Sequence, residues 1–186
     1  MIASLIASLL MTSPAVLPAP CPAEPRSGNG FTLGVCDDWL EGAPAYAATF
    51  SASLTPFPAA QQVIIFRYKG GWRMAMAGYH RTADGAMETR RKEVEISAGE
   101  AETIARLVDQ AALQRLAALP YYGSDNRICM DGANLRIETA AGGQRMEASQ
   151  HSCAGKTEIN TVAAAFRDLA LKHDRDMSDH LDGLRN

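Results

Sequence analysis

The stretch Cys129–Cys153, CMDGANLRIETAAGGQRMEASQHSC, decides the fold. Ala133, Leu135, Ile137 and Thr139 alternate with Asn134, Arg136 and Glu138, and past the glycines Met146 and Ala148 alternate with Arg145, Glu147 and Ser149. A period of two marks a strand with one face toward a core. Ala141-Gly142-Gly143 supplies the positive φ that a tight hairpin turn demands. With a cysteine at each outer end, the stretch reads as a β-hairpin stapled by Cys129–Cys153 and greasy on one face.

Working upstream, Leu119-Pro120 ends a helical segment whose start is marked by Ser97-Ala98-Gly99-Glu100, a capping box in which hydroxyl and carboxylate each satisfy an orphan amide. Ile104, Leu107, Val108 and Ala111 share one face of that helix, and the phase slips near Leu113, so 113–119 reads as a separate turn. Before it come three strands. VIIFRYK (63–69) puts Ile64, Phe66 and Tyr68 on one face, and Gly70-Gly71 turns the chain. WRMAMAG (72–78) follows with Trp72, Met74 and Met76 together. METRRKEVEIS (87–97) is charged on both faces until Val94 and Ile96, as suits an edge strand that must discourage pairing by another chain. Downstream, Thr157 caps a last helix with the stripe Ile159, Val162, Ala163, Phe166, Leu169 and Ala170.

The order βββ-α-ββ-α implies an α+β fold: a mainly antiparallel sheet of about five strands covered on one face by two helices. The helix stripes are expected against Phe66, Trp72, Met74, Leu135 and Ile137. CMDGANLRIE, the turn, the strand ending in QHSC and the preceding Leu119-Pro120 break resemble small exported bacterial proteins of no assigned function. The resemblance covers the second half of the chain and implies no catalytic residues.

The ends read differently. Residues 1–20, MIASLIASLLMTSPAVLPAP, hold an apolar run from Ile2 to Met11 of signal-peptide length, too short to span a bilayer. Residues 21–61 read as an irregular arm rich in proline and glycine, with one short strand near Tyr46 to Ser53. Residues 62–173 form the α+β domain. Residues 174–186, DRDMSDHLDGLRN, read as a polar, disordered tail that could be deleted without unfolding the domain. No segment after the leader is apolar enough to cross a membrane.

The 186 residues suffice for one core, and a net charge of −3 argues against nucleic acid as the partner. Four cysteines in a small exported chain imply disulfides, with proximity favouring Cys21–Cys36 and Cys129–Cys153. No paired CxxC, no HExxH and no helical i, i+4 histidine pair occurs, so the sequence points to no metal and no cofactor, and His80, His151, His173 and His180 read as surface histidines. Asp131, His151 and Ser152 lie together at the hairpin end, but neighbours on a strand face opposite ways, so Asp131-Gly132 reads as a turn. Arg90, Arg91 and Lys92, with Asp131 and His151, are the candidate binding residues, the basic cluster interleaved with Glu88, Glu93 and Glu95. The function expected is a non-catalytic binding or accessory module of the cell envelope, holding an envelope protein or an anionic ligand; the alternative is a periplasmic hydrolase or enzyme inhibitor at the hairpin end.

A non-reducing peptide map is expected to join Cys129 to Cys153. The bridge closes a loop of about two dozen residues, worth about 3 kcal/mol in the chain-entropy picture. Cys129→Ser should lower the melting temperature and leave a Cys153 thiol that dimerises the protein.

Overall fold

The computed structural model describes residues 17–22, 31–52, 60–122 and 132–185. Its strands are β1 (Ala19–Pro20), β2 (Ala45–Ala52), β3 (Ala60–Tyr68), β4 (Gly71–Arg81), β5 (Met87–Ile96), β6 (Ala133–Ala141) and β7 (Gln144–His151). Its helices are α1 (Ala98–Leu107), α2 (Gln110–Ala117) and α3 (Glu158–His173). The strands make one antiparallel sheet in the order β1-β7-β6-β2-β3-β4-β5. The α+β class holds; the sheet has seven strands rather than about five.

The expected hairpin is β6–β7, with Gly142 and Gly143 both at positive φ. Ala133, Leu135, Ile137, Met146 and Ala148 are buried. Cys153 is held in a disulfide; its expected partner Cys129, like Asp131, lies outside the described residues. The other expected bridge, Cys21–Cys36, is formed.

The two further strands are Ala19–Pro20, so the leader must end before Ala19, and Ala45–Ala52, where a short strand is expected near Tyr46 to Ser53. Ala19–Pro20 adds a short edge to β7, fastened by the Cys21 amide donating to the Gly143 carbonyl at 2.8 Å. β2 is the strand expected near Tyr46 to Ser53, and the correction is its place, inside the sheet rather than in an irregular arm. It sits between β3 and β6, with Ala45, Ala47 and Ala48 fully buried. A strand covered on both faces needs no polar–apolar alternation, so period two is missing from its sequence.

Both faces of the sheet are covered, not one. On the front, α1, α2 and α3 pack over Ala48, Val63, Ile65, Met74, Met76, Leu135 and Ile137. On the back, Val35 and Leu40 of the arm pack with Ala45, Ala47, Ile64, Phe66, Ala75 and Ala140, with the Cys21–Cys36 bridge beside them. Phe66 therefore lies under the arm and not under the helices. Trp39 meets its ring edge-on at 5.0 Å. Gln62 stitches the arm down: its side-chain amide bonds both the N–H and the C=O of Leu33 at 2.9 Å, as a neighbouring strand would.

Ser97 and Glu100 form the capping box of α1, and Thr157 and Asn160 that of α3. The 113–119 turn is instead the helix α2, because Asp109 caps it through the Ala112 amide at 2.7 Å.

The segment 174–185, expected as a loose tail, is packed. Met177, Leu181 and Leu184 are fully buried in the front core. Arg167 of α3 donates to the carbonyls of Leu181 and Ser178, both at 3.2 Å. The Gly183 amide donates to Gln61 Oε1 at 2.7 Å, and Gln61 Nε2 donates to the Tyr79 carbonyl. A Cβ on Gly78 of β4 would sit 1.9 Å from the His180 carbonyl oxygen, so the segment lies directly on the strand backbone. Deleting 174–186 is accordingly expected to unfold the domain in thermal or urea melts. Leu181→Ala should cost about 2–5 kcal/mol and Phe166→Ala about 3–5 kcal/mol by leaving cavities in the same core.

Candidate functional site

Three surfaces bear on function, two fixed by the sheet register and one by the packing of α1 on α3. At the hairpin end, His151 ends β7 and its backbone N–H donates to the Tyr121 carbonyl at 2.9 Å. Its Nδ1 accepts the Cys153 N–H at 3.3 Å, and its ring lies against Tyr122 and over Gly132, where a Cβ would meet the imidazole. The Ser152 hydroxyl accepts the Ala133 N–H at 3.0 Å. Both side chains thus terminate the hairpin. The cavity beside them measures about 40 Å³, far below the several hundred that a small substrate needs.

The basic cluster faces two ways. On β5, Glu88, Arg90 and Lys92 point to the front, and Glu93 and Glu95 to the back, where both pair with Arg73 of β4. Arg90 and Lys92 meet the buried Asp174 at 3.1 and 3.0 Å, and Arg90 also reaches Asp176 at 3.3 Å. These two charges fasten the C-terminal segment to the sheet edge. Arg91 alternates with them and faces the back. Burial alone would raise the Asp174 carboxyl; the Lys92 ammonium and Arg90 guanidinium outweigh it and hold the group below the ordinary carboxylate range.

One turn further along the same contact, the register sets His80 of β4 opposite Glu88 of β5, and the C-terminal segment lays His180 against them. His80 Nδ1 is 3.3 Å from His180 Nε2, the rings meeting edge to face, and His80 Nε2 is 3.7 Å from a Glu88 carboxylate oxygen. Sequence reasoning missed this group because its members are brought together by the docked segment, with His80 and His180 a hundred positions apart.

The third surface is the helical layer. Ile104, Leu107, Ala165 and Leu169 floor a groove of about 450 Å³ between α1 and α3, rimmed by Thr103, Asp168 and Ser97. Leu107, at the end of α1, is 40% exposed, a large apolar side chain left in water on that surface. At one end of the groove Glu100 bridges the two helices through Lys172 at 2.6 Å and His173 at 3.0 Å; the lysine first, then the Ser97 cap, hold its carboxyl well below the usual range.

On the back of the hairpin, Glu138 lies between Arg136 and Arg145 and directly opposite Glu147. Burial pushes its carboxyl up, with Glu147 adding to the rise and the two arginines opposing it.

No family model matches the chain, and no curated protein matches it. Among the described residues no helix is long and apolar enough to cross a membrane.

A carboxylate held below its unfolded value stabilises the fold above that value, and the contribution is lost as pH falls through the folded one. Asp174 and Glu100 both have this sign, so acid should loosen the C-terminal segment and the α1–α3 contact. Asp174→Asn is expected to melt below wild type at neutral pH. In acid, where wild-type Asp174 is itself protonated, the two melting temperatures should converge. Differential scanning calorimetry across the carboxylate range checks both.

Proposed function

We propose that the chain is an exported bacterial cell-envelope protein acting as a non-catalytic binding module for another envelope protein. The observation that carries the reading is the Cys21–Cys36 disulfide. Such bridges persist in the periplasm and outside the cell and are rare in reducing cytosol. The apolar run Ile2–Met11 supports the same compartment as an export signal, and so does the resemblance of the hairpin half to small exported proteins.

The binding reading draws on how the candidate side chains are used. His151 and Ser152, which a hydrolase at the hairpin end would need, are engaged with backbone amides beside a cavity of about 40 Å³. Arg90 and Lys92, which an anionic ligand would need, are engaged by Asp174. The groove between α1 and α3 offers instead an apolar floor with Leu107 exposed and Asp168 on its rim. That chemistry suits a protein partner presenting an apolar side chain with a basic neighbour, since buried apolar contact supplies affinity and a rim charge supplies orientation.

Mass spectrometry of the protein from its native host should show the leader removed upstream of Ala19, so that β1 and the Cys21–Cys36 bridge are kept; an intact Met1 would refute export. A photo-crosslinking residue at position 107 is expected to capture a discrete envelope protein in whole cells, and one at Trp39 on the opposite face is not. Equal capture at both positions, or none at 107, would remove the groove from the account.

A further inference from the structure

His80, Glu88 and His180 each offer a donor atom that lies within 4.8 Å of the other two. Three features make the arrangement more than a chance meeting. First, the 3.3 Å between His80 Nδ1 and His180 Nε2 is the edge of a coordination tetrahedron, since ligands about 2.0–2.1 Å from a zinc ion stand about 3.3–3.4 Å apart. Second, the tautomer of His180 is set from behind. Its Nδ1 lies 3.3 Å from the Asp176 carbonyl oxygen and donates its proton there, which leaves the Nε2 lone pair directed at His80. A ring nitrogen bonded to a backbone carbonyl is the usual outer partner of a metal-bound histidine. Third, the position is preorganised. His180 is 6% exposed, and its backbone rests on Gly78 where no Cβ could be accommodated.

We propose that these three residues form a binding site for a divalent transition metal of the zinc class, which clips the C-terminal segment onto the β4–β5 hairpin. Two imidazoles and one carboxylate favour zinc, copper or nickel over magnesium or calcium, which prefer all-oxygen sets. Glu88, 60% exposed in its side chain, is free to bring one oxygen in, and three protein ligands leave a fourth position for water. The neighbouring cation on the strand face, Arg90, is already matched by Asp174 and Asp176, so its charge does not close the site to a metal ion. A hydrogen bond between two neutral imidazoles would hold the same rings without an ion, and the experiment separates the two.

Tag-free mature protein stripped with chelator is titrated with Zn²⁺ by calorimetry and with Co²⁺ by visible absorption. Wild type is expected to bind with a single-site isotherm and to give the intense visible bands of low-coordinate cobalt. His80→Gln and His180→Gln should weaken Zn²⁺ binding by about a hundredfold or more, and Glu88→Gln by about tenfold to a hundredfold. His151→Gln and His173→Gln should bind as wild type does. Zn²⁺ should raise the melting temperature of wild type and leave that of His80→Gln unchanged. If His180→Gln fails to fold by circular dichroism, the partly exposed His80 and Glu88 variants decide the matter. Absence of Zn²⁺ binding in wild type, wild-type affinity in His80→Gln or Glu88→Gln, or loss of binding in His151→Gln or His173→Gln overturns the proposal.

Discussion

β2 is the strand through which the whole sheet is joined. β3, β4 and β5 form one meander, β6 and β7 with β1 form another, and β2 alone pairs with both. Helices cover its front and the disulfide-tied arm covers its back, so the positions pressed between the layers at its middle take small side chains. Ala45, Ala47 and Ala48 meet that demand with zero exposure. Enlarging any of them would push a covering layer off the sheet, which well-packed interiors resist. The register carries this constraint outward: Ala48 sits between Val63 and Ile137 on the front, and Ala47 beside Ile64 on the back.

The residues legible from sequence were those whose surroundings are asymmetric. Leu135, Ile137 and Met146 are buried on one face with polar neighbours on the other, and their alternation says so. The caps at Ser97 and Thr157 are local in sequence and were equally plain. β2 is legible as a short strand near Tyr46 to Ser53, but its central place is not, because it is covered on both faces and its alanines carry little hydrophobic signal. The phase of β3 is ambiguous in sequence for a related reason: Val63, Ile64, Ile65 and Phe66 form an unbroken apolar run, which is compatible with either face, and pairing of Ile65 with Met74 is what sends Phe66 to the back. Asp109 is an ordinary cap placed where the helical phase slipped, and the slip itself was the sign of a second helix.

The composition of the C-terminal segment conceals its docking. Its polar residues dominate, yet Met177, Leu181 and Leu184 are spaced four and three apart, enough to set one apolar ridge on the core. Its acids are matched to the sheet edge: Asp174 lies on Arg90 and Lys92, whose charges looked like a free basic patch only while their partner was counted as solvent. The His80, Glu88 and His180 group follows from the same docking. A cross-strand pair was derivable from the β4–β5 register; the third member required knowing where residue 180 comes to rest.

The Gly183–Gln61 hydrogen bond joins positions 122 residues apart, and the front core takes Leu181 and Leu184 on one side and strand residues from 48 onward on the other. Such a core closes late. Every earlier element can be synthesised, and even paired, while Met76 and Phe50 still wait for their cover. Folding dominated by contacts this distant is slow and leaves apolar surface open in the interval. A chain fed out residue by residue therefore reaches its native state only after residue 184 has emerged, and until then it is a substrate for whatever holds unfolded chains.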